Sequence, residues 1–88
     1  MANFDNSAEV GKQLIIKFIS ERMKEKNISR GKLAELIGVE RSTLNRNLDN
    51  ETEISLITLL KICGALELRP FLIPAEIDNT DFQRMFFN

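Results

Sequence analysis

Histidine, tryptophan and tyrosine are absent from this chain of 88 residues, and cysteine occurs once. Without histidine there is no ready side chain for acid–base work near neutral pH, and no Gly-rich phosphate loop or nucleophile–base pair replaces it. An enzyme is therefore not expected, and no catalytic residue is assigned. One cysteine and no histidine leave only carboxylates as ligands, so neither a metal nor another cofactor is expected. Cys63 has no partner for an intrachain disulfide. Together with the lack of a signal-peptide pattern, this points to a reducing cytoplasm. The apolar runs are far shorter than a bilayer span, so no membrane association is expected.

A strong excess of positive charge is also missing. The net charge of −1 argues against indiscriminate attachment to nucleic acid. The distribution says more than the sum. Residues 17–46 carry eight Lys/Arg against four Glu, a net +4, whereas residues 47–88 carry three against seven, a net −4. The basic block is where the most informative stretch lies.

That stretch runs from Ile28 to Asn50, ISRGKLAELIGVERSTLNRNLDN. Its spacing predicts two short helices, 30–37 and 41–48, joined at Gly38. Ser29 suits the N-cap of the first, and Leu33, Leu36 and Ile37 share its apolar face beside the small Ala34. Gly38 stands where a left-handed backbone is needed to end that helix. In the second helix Leu44 and Leu48 point inward, while Arg41, Ser42, Asn45 and Arg46 point out. Aliphatics behind and arginine, hydroxyl and amide groups in front suit the DNA major groove.

The pattern Ile28-Ser29-x3-Leu33-Ala34-x3-Gly38-Val39-x-Arg41-Ser42-Thr43-Leu44-x-Arg46 resembles the helix-turn-helix of Cro/C1-type repressors. The resemblance implies an all-α, lambda-repressor-like domain of about four helices and a double-stranded DNA partner. It places Arg41, Ser42, Asn45 and Arg46 against base edges. Arg30, Lys32 and Thr43 are the candidates for phosphate contact, Arg30 standing where relatives usually have glutamine. This chain departs from the pattern at several positions. Glu40 replaces the usual Ser or Thr cap, Asn47 takes a usually apolar position, and Glu51 and Thr52 stand where relatives often carry basic residues. Asn47 predicts a helix that turns slightly to lean on Leu48. The acidic substitutions weaken the non-specific electrostatic attraction to phosphate.

Flanking this core, Asn6 and Glu9 form a capping-box pattern, which predicts a first helix from about Ser7 to Lys26. Its inward pairs are Leu14 with Phe18, and Ile15 with Ile19 and Met23. Ser55 is the expected cap of a helix over 55–66, with Leu56, Leu59, Ile62, Cys63 and Leu66 inward and Leu60 widening the stripe. Cys63 is expected there as a small buried hydrophobe. From Leu66 the period changes to two, which predicts a strand over 67–73 with Pro70 at an edge position. A lone strand needs a partner, so the same strand of a second copy is expected to pair with it in a two-fold dimer. Leu68, Phe71, Leu72 and Ile73 are its interface residues.

The run from Ile54 through LITLLKICGALELRPFL resembles the end of HipB-type antitoxin repressors. There a helix leads into a strand that pairs across a dimer, which implies autoregulation and a toxin as a possible protein partner. The expected organisation is a lead-in at 1–6, the DNA-binding domain at 7–66, a dimerisation strand at 67–74 and an acidic, aromatic tail at 75–88. In the tail Phe82, Met85 and Phe86 share one side of a last helical turn. They either close the core or the dimer interface, or form a patch for another protein. The leading expectation is a dimeric transcriptional repressor on an inverted-repeat operator, with an antitoxin as the alternative.

Overall fold

Four helices account for the regular structure in residues 4–74, which the computed structural model describes: α1 (Asp5–Lys26), α2 (Arg30–Ile37), α3 (Arg41–Leu48) and α4 (Leu56–Ala65). The last helical turn expected around Phe82, Met85 and Phe86 lies outside the described residues. Two of the expected caps are present. Ser29 Oγ accepts from the Lys32 N–H and Ser55 Oγ from the Thr58 N–H, both at 3.1 Å. The capping box at the start of α1 is not formed. The helix begins two residues before Ser7, at Asp5, and takes Asn6 inside it, with Phe4 as a cap that offers no side-chain bond.

Every helix ends in a residue or turn of left-handed backbone. Asn27, Gly38, Asn50 and Glu67 have φ of 56°, 74°, 62° and 57°. At three of these ends two reversed bonds close the last carbonyls. The Ile28 N–H donates to Met23 O at 2.9 Å, the Glu51 N–H to Arg46 O at 2.9 Å, and the Leu68 N–H to Cys63 O at 2.8 Å. Such closures satisfy carbonyls that would otherwise be orphaned, and they turn the next apolar residue back onto the helix. Ile28 and Leu68 are the residues so turned, and both pack against the core.

The strand expected over 67–73 finds no support in this geometry. Among the described residues no strand is formed, and that segment has no ladder. The apparent period of two at Leu66 and Leu68 comes from a helix end followed by a left-handed Glu67. Leu66 completes the α4 stripe and is fully enclosed, and Leu68 folds back across the turn. Beyond them Phe71 and Leu72 are exposed, so the alternation does not continue as two faces.

The core joins all four helices. Ile19, Leu33, Leu44, Ile62 and Leu66 are fully enclosed, each gaining about 1.5–3 kcal/mol from burial. Ile16, Met23, Ala34, Ile37 and Leu48 complete the cluster, and Leu59 is packed against it. The apolar faces expected from spacing are broader than those buried. Leu14, Ile15 and Phe18 of α1, Leu36 of α2, and Leu56 and Leu60 of α4 are exposed. One side of α1 and the start of α4 therefore remain uncovered by the described chain. Cys63 is buried, and that burial pushes its thiol pKa up, as expected of a packing residue.

Polar ties align α1 with the segment 50–67. Asn50 donates to Glu9 at 3.1 Å, Lys12 pairs with Glu53, Arg22 donates to the Leu66 carbonyl at 2.9 Å, and Lys26 pairs with Glu67. Three of these four ties link residues 41 apart. They advance together along both segments, so α1 runs in the same direction as α4. Apart from the part-buried Arg22 bond, each is too exposed to stabilise much alone. Their common register sets how α1 lies beside the helix-turn-helix.

Candidate nucleic-acid interface

Helix α3 is eight residues long, and its two sides have opposite chemistry. Leu44 and Leu48 are buried against the core, and so is Asn47. Arg41, Ser42, Thr43 and Arg46 are exposed, and Asn45 is half-buried. Residues 41, 42, 45 and 46 share one face because four residues bring a helix round by slightly more than one turn. Neither Arg41 nor Arg46 forms an ion pair among the described residues, so both guanidinium groups are available to an outside acceptor.

Gly31, in the first turn of α2, lies beneath the Arg41 side chain. A methyl group added at Gly31 would lie 3.7–3.8 Å from Arg41 Nε, Cδ and Cζ. The arginine chain thus runs across the bare backbone of the preceding helix. No signal in the sequence singled out Gly31 for this.

The candidates for phosphate contact stand apart from one another. Lys32 is exposed and pairs with Glu35 at 3.1 Å, one turn along α2. Thr43 is exposed on α3. Arg30 is half-buried, with Nη1 donating to Asp49 Oδ1 at 3.0 Å and to Asn45 Oδ1 at 3.3 Å. Arg30 therefore braces the start of α2 against the far half of α3. Asp49 was missed as a partner, although its place four residues after Asn45 puts the two side chains together.

The departures at Glu40, Asn47, Glu51 and Thr52 have different consequences. Glu40 is the N-cap of α3 but makes no side-chain cap bond. Asn47 does not tilt α3 toward Leu48, since both side chains are buried. Its Nδ2 donates to the Thr52 hydroxyl at 2.9 Å and the Glu53 carbonyl at 3.3 Å, so a polar residue holds the loop after α3 where an aliphatic one would only pack. Asp49 and Glu53 have cationic partners, whereas Glu40 and Glu51 have none among the described residues. Negative charge at the edges of α3 is thus partly neutralised within the fold.

A profile of the Cro/C1-type HTH DNA-binding domain matches residues 19–71, from the buried Ile19 of α1 to the exposed Phe71 after α4. The chain belongs to that family. The match takes in α2, α3 and α4 whole and the last eight residues of α1. Membership makes this a DNA-binding protein of a type that regulates transcription. No curated protein and no solved structure matched the chain. Among the described residues no helix is long and apolar enough to cross a membrane, and no group of three or more His, Cys, Asp or Glu is placed to hold a metal ion.

Proposed function

We propose that the protein is a transcriptional repressor that binds an inverted-repeat operator as a homodimer. The observation that carries this reading is the face of α3, where Arg41 and Arg46, without an ion pair among the described residues, stand with Ser42 and Asn45 outside an aliphatic support. Arginine can donate twice to guanine O6 and N7, and serine and asparagine supply shorter contacts to base edges. Arg30, Lys32 and Thr43 flank this face as phosphate contacts that set register without reading sequence.

Dimerisation is supported by apolar surface that the described chain leaves open. Leu56, Ile57 and Leu60 on α4 are exposed, and so are Phe71 and Leu72 just beyond it. Leu68 is already engaged by the core of its own chain, and Ile73 is half-buried. Phe71 and Leu72 therefore carry the proposed contact, with the exposed side of α4 beside them. Two copies related by a two-fold axis would place their α3 helices in successive major grooves, about 34 Å apart.

The same open surface favours a second reading. A segment similar to HipB-type antitoxin repressors, with several large apolar side chains exposed, suits a protein that also binds a toxin and autoregulates its operon. Both readings place the protein in the cytoplasm, with the DNA.

Selection of bound duplexes from a random pool, at two salt concentrations, tests the DNA reading. A repressor returns a two-fold symmetric sequence whose preference is lost in Arg41→Ala or Arg46→Ala. Equal weakening on selected and random duplexes would show that α3 does not read bases. Sedimentation should give about twice 10.1 kDa, reduced to one chain by Phe71→Asp. A co-purifying partner lost on removing residues 75–88 would favour the antitoxin reading.

A further inference from the structure

A free carboxamide reads adenine by offering a donor and an acceptor side by side. In Asn45 the acceptor is turned toward Arg30, with one of its two lone pairs engaged. Its Oδ1 accepts from Arg30 Nη1 at 3.3 Å, and the same nitrogen donates to Asp49 Oδ1 at 3.0 Å. A guanidinium carries only donors, so the amide atom facing Arg30 has to be the oxygen, and Nδ2 is turned away from it. The arrangement is braced on both helices. Arg30 is the first residue of α2, and Asp49 is the C-cap of α3, one turn beyond Asn45. Asn45 itself is half-buried.

We propose that Arg30, held by Asp49, is a positioning residue that keeps Oδ1 of the Asn45 amide turned toward itself, so that Nδ2 is the group Asn45 turns to the groove. This rests on the reading of α3 as the base-reading helix and gives one of its positions a specificity. An amide that presents Nδ2 suits any base edge that has an acceptor there: N7 of either purine, O6 of guanine or O4 of thymine. It disfavours cytosine, whose N4 amino group is itself a donor. Asn45 therefore distinguishes acceptor from donor and does not select adenine over guanine. Among the described residues Arg30 Nε and Nη2 make no hydrogen bond, which leaves them for a phosphate, so positioning and backbone contact coexist in one side chain.

The test is selection from a random duplex pool with the full chain, as wild type, Asn45→Ala, Arg30→Met and Arg30→Lys. The position whose preference Asn45→Ala flattens is the one that Asn45 reads. There the wild type should take adenine and guanine nearly equally and disfavour cytosine by about tenfold. Arg30→Met frees the amide, so adenine should rise over guanine by about tenfold at that position alone. Arg30→Lys, still a charged donor opposite Asp49, should keep the wild-type profile. A wild type that already prefers adenine over guanine tenfold overturns the proposal. So does an Arg30→Met variant that loses affinity uniformly with its profile unchanged, or an Asn45→Ala variant that alters no position.

Side-chain amide NMR of the free protein gives a reading independent of DNA. The Asn45 Nδ2 resonances should move in Arg30→Met and Asp49→Asn but not in Arg30→Lys, and unmoved resonances overturn the positioning. If the pool yields no preferred duplex while these resonances behave as expected, the base-reading role of α3 has failed and the proposal with it, although the Arg30–Asn45 contact stands.

Discussion

Asn47 donates to the Thr52 hydroxyl at 2.9 Å from a side chain that is only 5% exposed. With the Glu53 carbonyl as a second acceptor, this one amide ties the end of α3 to the loop that leads into α4. A buried amide is tolerated only when its hydrogen bonds are made, and among the described residues no buried side-chain polar atom is left without a partner. Asn47→Ala should therefore cost about 1–3 kcal/mol, through the lost bonds and the cavity. Urea denaturation measures it, and a change below about 0.5 kcal/mol, the usual scale of surface substitutions, would show that the amide is incidental.

Gly31 and Arg41 make a different pair. The methyl group of Gly31→Ala would meet Arg41 at 3.7–3.8 Å, an ordinary van der Waals distance. Alanine also restricts the unfolded chain and suits a helix better, by about 0.5–1 kcal/mol. Gly31→Ala should raise the melting temperature by a few degrees and leave base preference unchanged. A loss of preference at the position that Arg41→Ala also flattens would mean that the arginine needs a bare backbone beneath it.

Glu67 holds a φ of 57° at the end of α4, a region costly for a residue with a Cβ. Glu67→Gly removes that strain, worth about 1 kcal/mol, and sacrifices the exposed pair with Lys26, worth a few tenths. The variant should melt several degrees higher. Destabilisation on this substitution would mean that the tie to α1 matters more than the backbone.

Two ties between α1 and the 50–53 loop titrate in opposite directions. The Glu9 carboxyl is held below its ordinary 4.5, first by the bond from Asn50, then by Gln13 and by the Lys12 charge. Its stabilising effect is complete above pH 4.5 and is lost as the pH falls through the depressed value. The Lys12 ammonium is held above its ordinary 10.5, chiefly by its bond to Glu53. Its effect is complete below pH 10.5 and is lost as the pH rises through the raised value. Both ties therefore hold between 4.5 and 10.5, and amide exchange at the start of α1 should quicken outside that window. In Glu9→Gln the acid side of this change should shrink and the alkaline side persist.

Much of this protein was determined by local chemistry and is visible in the sequence. Ser29, Gly38 and Ser55 mark helix ends because a hydroxyl cap or a missing Cβ acts within a few bonds of its own backbone. The outward set Arg41, Ser42, Asn45 and Arg46 follows from helical spacing alone. Tertiary structure decided what spacing could not. Whether Leu14, Phe18 and Leu56 are covered depends on neighbours distant along the chain, and the described chain leaves them open. The alternation after Leu66 imitates a strand until Glu67 turns left-handed, because a helix closure and a pleat both bring every second residue to one side. The amide of Asn45 looks free in the sequence, and only the packing of α2 across α3 brings Arg30 to its oxygen. Helical spacing set which side chains face outward, while inter-helix contact set which of their donors and acceptors are already engaged.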